Sequence, residues 1–108
     1  MKNIVKKENA TRRRFSGVDF VVLSIGKDTM VTKMLYKLTD FVPFHKHPNE
    51  QSGYVISGKY KLKFGGKEYD LKEGDTYSIP ADIKHSIEII EAGEVVDVFS
   101  PIRQDYLL

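Results

Sequence analysis

The sequence contains no cysteine, and it also lacks long apolar runs and any large excess of one charge. Without cysteine there is no disulfide framework, no thiolate metal site and no cysteine nucleophile, which fits a protein of a reducing compartment. No apolar run reaches the roughly 20 residues of a membrane-spanning helix, and the first residues lack the apolar core of a secretory signal. We therefore expect a cytoplasmic protein with no membrane partner.

The charge balance argues against a nucleic-acid partner. Lysine and arginine total 17 and aspartate and glutamate total 15, so the formal net charge is only +2. A chain of 108 residues with 41% apolar side chains has room for one domain with one core.

The charges are uneven only at the start of the chain, where residues 1–14 carry six basic side chains and a single acid. We therefore predict a basic N-terminal arm over residues 1–16, followed by a barrel with its C-terminal strand and tail over residues 17–108. The arm is either a solvated segment or places Arg12, Arg13 and Arg14 at the border of an anion site. No aromatic side chains interleave with these charges, which again argues against nucleic acid.

Alternation of polar and apolar residues dominates the rest of the chain. In Lys59–Phe64 every lysine falls on one face and every apolar residue on the other. This pattern predicts a strand with one wet and one buried face, and Gly65-Gly66 then turns the chain into a hairpin. Further strands are predicted at 20–25, 31–38, 67–71, 76–79, 86–90 and 95–99. Since no helical apolar stripe is present, we expect an all-β fold of antiparallel strands closed into a sandwich or barrel.

The sequence has only three histidines, His45, His47 and His85. His45 and His47 are two positions apart, and in a strand this spacing places both side chains on one face. Imidazole is the commonest metal ligand in proteins and suits ions such as Zn, Fe, Ni and Mn. The histidines therefore predict a site for one divalent transition metal, whose identity the residue types do not fix.

Residues 45–58 and 74–85 resemble the two sequence motifs of the cupin superfamily. The first motif reads H-x-H-x(3,4)-E-x(6)-G and the second reads G-x(5)-P-x-G-x(2)-H, and 15 residues separate them in this chain. The resemblance implies a single cupin barrel, also called a double-stranded β-helix or jelly roll.

Three positions depart from these motifs. Gln51 occupies the acidic ligand position, because it alone has the x(6) spacing to Gly58, and we expect its neighbour Glu50 to point outward. Asp82 replaces the glycine before the last histidine, which a tight turn tolerates, and Thr39 stands where a glycine usually leads the first motif. Three imidazoles and one amide form a neutral ligand set, so a bound cation keeps its charge and favours an anionic oxygen ligand.

The last strand and the tail carry three further candidates. Asp97 and Phe99 share one face of the strand, and if that face looks inward, burial raises the pKa of Asp97 towards that of a general acid or base. The alternative is a structural aspartate at the barrel rim. Arg103 is either an exposed tail charge or a group that binds a substrate carboxylate bidentately.

The ending D-V-F-S-P-x-R, together with the histidine motif, resembles the pectin-degradation cupins that act on 4,5-unsaturated uronates. This resemblance implies a homodimeric enzyme that opens and ketonises a small anionic sugar acid to a linear 5-keto-4-deoxyuronate. It implies His45, His47, Gln51 and His85 as metal ligands, and Asp97, Phe99 and Arg103 as residues that line the active site.

Two other functions are compatible with the same motifs. One is another metal-dependent cupin enzyme, such as a dioxygenase or an isomerase, and oxygen consumption would separate a dioxygenase from a uronate enzyme. The other is a non-catalytic protein that binds a sugar or another small molecule.

Overall fold

The computed structural model describes all 108 residues, as ten β-strands, two short 3-10 helices and the turns between them. The 3-10 helices cover Lys7–Asn9 and Gln104–Leu107, and no helix in the structure is long and apolar enough to cross a membrane. The strands are β1 (Thr11–Phe15), β2 (Val18–Ile25), β3 (Met30–Tyr36), β4 (Phe41–His45), β5 (Glu50–Val55), β6 (Lys59–Phe64), β7 (Lys67–Leu71), β8 (Thr76–Ile79), β9 (His85–Glu91) and β10 (Gly93–Ser100).

The ten strands form two antiparallel sheets. One sheet has six strands in the order β1-β2-β3-β10-β5-β8, and the other has four in the order β4-β9-β6-β7. The chain crosses repeatedly from one sheet to the other, which is the connectivity of a jelly roll. This confirms the predicted all-β barrel of antiparallel strands.

The core lies between the two sheets because inward and outward residues alternate along the strands. In β3 every second residue from Met30 to Tyr36 is buried, and in β10 the buried residues are Val95, Asp97 and Phe99. Leu62 of β6 reaches the same core from the four-stranded sheet. Full burial of an apolar side chain such as leucine or phenylalanine stabilises the folded state by about 1.5–3 kcal/mol relative to leaving that side chain exposed.

The N-terminal segment differs from the predicted arm, since the sheet begins at residue 11 and not after residue 16. β1 pairs with β2, and Arg14 lies opposite Asp19 in the register. The Asp19 carboxylate accepts hydrogen bonds from Arg12 at 3.0 Å, Arg14 at 2.9 Å and Lys37 at 3.1 Å. Arg12, Arg13 and Arg14 are therefore part of the edge strand β1, which lacks the alternation of polar and apolar residues by which strands are recognised.

Candidate metal centre

The three histidines meet because two neighbouring strands and one loop bring them together. His45 is the last residue of β4, and it lies opposite His85, the first residue of β9. His47 follows β4 in the loop that leads to β5, so the expectation that it shares a strand with His45 is wrong. The loop is fixed where the Asp82 backbone N–H donates to the His47 carbonyl at 2.9 Å. Asp82 has a φ of 62°, the left-handed conformation that glycine ordinarily supplies at this motif position.

Backbone carbonyls determine which nitrogen of each histidine faces the centre. The Nδ1 atoms of His45, His47 and His85 each lie 2.9 Å from a carbonyl oxygen two residues away. A carbonyl can only accept, so each Nδ1 carries the proton and each Nε2 keeps its lone pair. Metal-binding histidines are oriented by such hydrogen bonds in many proteins.

The three imidazoles form a compact cluster that could hold one ion. One ligand nitrogen from each histidine lies within 4.8 Å of the other two. Burial lowers the pKa of His47, and it lowers the pKa of His85 to about 4. These two rings are therefore neutral near pH 7, which is the form that binds a metal.

Gln51 completes the cluster from the other sheet. It is buried on β5 while its neighbour Glu50 is exposed, in agreement with the expected orientation of both. The Oε1 atom of Gln51 lies 3.1 Å from Nε2 of His47. Because both atoms are acceptors when Nδ1 carries the proton, their lone pairs face each other, and a cation between them satisfies both. The donor set therefore fits a divalent metal ion.

Asp97 lies beside this cluster in the interior of the six-stranded sheet. Its side chain is 1% exposed, and Tyr77 donates a hydrogen bond to its Oδ1 atom. Burial raises the pKa of Asp97 to about 6, although Tyr77, Gln51 and the charge of Arg103 act in the opposite direction. A carboxyl group with this pKa can accept or donate a proton near neutral pH.

Arg103 is a buried group and not a free tail charge. Its side chain is only 6% exposed, and its Nε and Nη2 atoms donate to the Asp105 carboxylate at 3.0–3.2 Å. Nη1 donates to the Tyr106 hydroxyl at 3.0 Å, and the guanidinium carbon lies 4.0 Å from the centroid of the same ring. Three of the five N–H groups are thus used, and two remain for a ligand.

The cluster opens into a cavity of about 410 Å³. Phe99 does not line this cavity. It is fully buried and packs edge-on against the His47 ring, with the centroids 5.7 Å apart. Arg12, Arg13 and Arg14 do not line it either, and Arg12 and Arg14 pair with Asp19 instead. The other predicted site residues all contribute to its wall: His45, His47, Gln51, His85, Asp97 and Arg103.

Four residues near the site were not predicted from the sequence. Phe15 and Tyr106 pack with Arg103, Asp105 pairs with it, and Tyr77 holds Asp97. The spacing of an acid two residues after Arg103 is a signal that could have identified Asp105. No local pattern identifies Tyr77, because its contact with Asp97 depends on the pairing of three strands.

The fold and the site define a small β-barrel protein with a cavity between two sheets, where three histidines could hold a metal ion. The chain belongs to the cupin family, because residues 34–99 match the cupin domain. Among curated proteins, a 3-hydroxyanthranilate 3,4-dioxygenase of Brucella anthropi is 28% identical over 113 aligned positions, which cover 99% of this chain and 57% of that enzyme. The chain thus spans little more than half the length of the curated relatives that it matches.

Two solved structures show the same fold over nearly the whole chain. An RmlC-like cupin from Shewanella frigidimarina has a TM-score of 0.90 and 22% identity, over 98% of this chain and 96% of that one. KdgF from Halomonas sp. has a TM-score of 0.86 and 23% identity, over 97% of this chain and 99% of that one. Sequence identities of 22% and 23% show a common fold, and they do not show a common activity, which depends on the residues of the site.

Proposed function

We propose that this protein is a metal-dependent enzyme that opens the ring of 4,5-unsaturated uronates and ketonises the product. The observation that carries the proposal is one cavity that contains the histidine cluster, the carboxyl group of Asp97 and the guanidinium of Arg103. Metal binding, proton transfer and carboxylate binding are the three tasks of such a reaction. The sequence resemblance to the pectin-degradation cupins and the similarity in fold to KdgF support this choice of substrate.

The proposed reaction is an isomerisation, so it needs no oxidant or reductant. The bond between the anomeric carbon and the ring oxygen breaks, and the anomeric hydroxyl loses its proton and becomes an aldehyde. The ring oxygen leaves as the oxygen of an enol or enolate at C5. A proton then joins C4, and the C5 oxygen becomes a ketone. One proton leaves an oxygen and one joins a carbon, so the product has the same composition as the substrate.

Asp97 is the group that moves the proton in this proposal. Its pKa of about 6 means that both protonation states are populated near neutral pH, so one group can serve both transfers. The two unused N–H groups of Arg103 would bind the uronate carboxylate as a fork. The aromatic rings packed on Arg103 hold its guanidinium in place, which lowers the entropy lost on binding.

His45, His47, Gln51 and His85 would hold the metal. A divalent cation, when bound, supplies Lewis-acid stabilisation of negative charge on a substrate oxygen. The neutral ligand set leaves the full charge of the cation available for this purpose, whereas a glutamate at position 51 would cancel half of it.

Substitution of Asp97 by Asn tests the proposal. We expect wild-type protein loaded with a divalent metal to remove the enol-ether absorbance of unsaturated uronates. D97N should lower kcat by roughly 100-fold or more, because the amide cannot transfer the proton. The exposed Asp70 provides a matched control, since D70N should retain full activity. Full activity of D97N would remove Asp97 from the mechanism, and an inactive wild-type protein would contradict the choice of substrate.

A second candidate function is supported by the apolar part of the cavity wall. Met34, Val42 and Ile87 are apolar residues of the cavity lining, and an aromatic ring would fit against such a surface. The 28% identity to a 3-hydroxyanthranilate 3,4-dioxygenase points the same way. Oxygen consumption by Fe(II)-loaded protein with 3-hydroxyanthranilate, and no turnover of uronates, would favour this function over the first.

A further inference from the structure

Asp97 belongs to a row of inward-facing residues that also contains a glycine and a tyrosine on the next two strands of the sheet. In the register of the six-stranded sheet, Asp97 of β10 lies opposite Gly53 of β5, and Gly53 lies opposite Tyr77 of β8. Neighbouring strands are about 4.8 Å apart, so Tyr77 begins about 10 Å from Asp97 on the same face of the sheet. A tyrosine side chain can cross this distance only if nothing stands on the strand between.

Gly53 provides that free path. A methyl group built on Gly53 would overlap the ring of Tyr77, whose Cζ, Cε2 and Oη atoms occupy the space of a Cβ atom. The ring therefore crosses β5 over Gly53, and its hydroxyl donates to Oδ1 of Asp97. The backbone of Gly53 does not have a positive φ, so the reason for glycine here is space and not conformation.

Tyr77 does not line the cavity, so it acts on a substrate only through Asp97. Burial and the nearby charge of Asp97 raise the pKa of Tyr77 well above its usual value, and its hydroxyl stays a donor. The Tyr77 hydroxyl is the only side-chain donor that hydrogen-bonds to the Asp97 carboxylate, and it fixes the position of Oδ1.

We propose that Tyr77, passing over Gly53, is a positioning residue that holds Oδ1 of Asp97 and thereby presents the other carboxylate oxygen to the cavity. This inference rests on the proposed function of Asp97 as the proton-transfer group. It also assigns a role to Gly53, namely to leave the path for the tyrosine open. Any larger residue at position 53 would displace the ring and release the carboxylate.

Two substitutions test the proposal in independent ways. Y77F removes only the hydroxyl, whereas G53A keeps the hydroxyl and displaces the ring. We expect each variant to lower kcat about tenfold, with KM and metal content within about twofold of wild type, because substrate binding does not need the orientation of Asp97. Y60F is the matched control, since Tyr60 is a buried tyrosine outside the cavity whose hydroxyl donates to the Ser57 carbonyl. It should retain the wild-type kcat.

A crystal structure of Y77F provides a readout that does not depend on turnover. We expect the Asp97 carboxylate to leave its wild-type orientation in Y77F and to keep it in Y60F. A Y77F protein with wild-type kcat, or with Asp97 unmoved, would overturn the positioning role. If wild-type protein does not turn over uronates, the proposed function fails, and the orientation of Asp97 in Y77F alone decides the positioning role.

Discussion

At the scale of single residues, the site depends on where hydrogen bonds place protons and lone pairs. The carbonyl oxygens beside the three histidines fix Nδ1 as the protonated nitrogen, and this leaves three lone pairs in the centre. Gln51 adds a fourth acceptor 3.1 Å from His47. Four acceptors that converge without a donor repel one another, and a cation is the group that relieves this repulsion.

Arg103 provides a prediction about substrate affinity. R103K keeps the positive charge but loses the planar fork that binds a carboxylate through two hydrogen bonds. We expect KM for an unsaturated uronate to rise about tenfold, with metal content unchanged. R12K is the matched control, because Arg12 pairs with Asp19 outside the cavity and its replacement should leave KM unchanged. An unchanged KM for R103K would show that Arg103 does not bind the carboxylate.

At the scale of secondary-structure elements, ion pairs attach the edge strand β1 to the rest of its sheet. Asp19 of β2 accepts from Arg12 and Arg14 of β1 and also from Lys37, which follows β3. Together these hydrogen bonds hold the pKa of Asp19 well below its usual range. β1 in turn supplies Phe15, which packs on Tyr106 beside Arg103 with the ring centroids 5.3 Å apart.

The pH dependence of stability tests these ion pairs. The pKa of Asp19 is lower in the folded state than in the unfolded chain, where it is about 3.9, so the unfolded state binds the proton more readily. The contribution to stability is present above about pH 4 and is lost as the pH falls below that value. We expect D19N to lower the melting temperature at pH 7 and to approach wild type in acid.

The exposed Asp28 in the β2–β3 turn has no ion-pair partner and provides the control. D28N should follow the wild-type melting temperature at both pH values. A difference between D19N and wild type that stays constant from pH 7 to strongly acidic pH would show that the carboxylate is not the cause.

Most of the strands that the sequence predicts have one wet and one buried face, whereas β7 is exposed along most of its length and is predicted from the Gly65-Gly66 turn before it. β6, β7 and β8 have the expected bounds, and β2, β3, β9 and β10 differ by one or two residues at their ends. The sequence does not predict β1 and β4, because these are edge strands in which polar and apolar residues do not alternate between two faces. It does not predict β5, because Gly53 interrupts the alternation of polar and apolar residues there. The candidate metal-ligand positions and Asp97 follow from motif spacing. Asp105 and Tyr106 contact Arg103 within the tail, so a local pattern could identify them, whereas the contact of Tyr77 with Asp97 depends on the pairing of three strands.

At the scale of the whole molecule, the candidate site joins the two sheets. His45 and His85 belong to the four-stranded sheet, and Gln51 belongs to the six-stranded sheet. An ion bound by all of them cross-links both layers of the barrel, and the unfolded chain cannot form such a site. The homodimer expected from the family resemblance stays a prediction, to be tested by light scattering of the purified protein.

Metal removal should therefore lower global stability. A ligand that binds only the folded state, at a free concentration about 1,000 times its Kd, stabilises it by about 4 kcal/mol. We expect a chelator to lower the melting temperature of wild-type protein and a divalent metal to restore it. H85A should respond to neither addition, because one of the three histidine ligands is gone. A wild-type melting temperature that does not change with metal would indicate that no ion is held between the sheets.

Anomalous X-ray diffraction from crystals soaked in a transition metal can show whether three histidine Nε2 atoms and the Gln51 Oε1 atom hold one divalent cation. We expect a single strong anomalous peak, about 2.0–2.2 Å from each of the three Nε2 atoms and adjacent to Oε1 of Gln51. An anomalous map with no peak among His45, His47 and His85, or with the metal bound only at the protein surface, would show that these residues do not form a metal site.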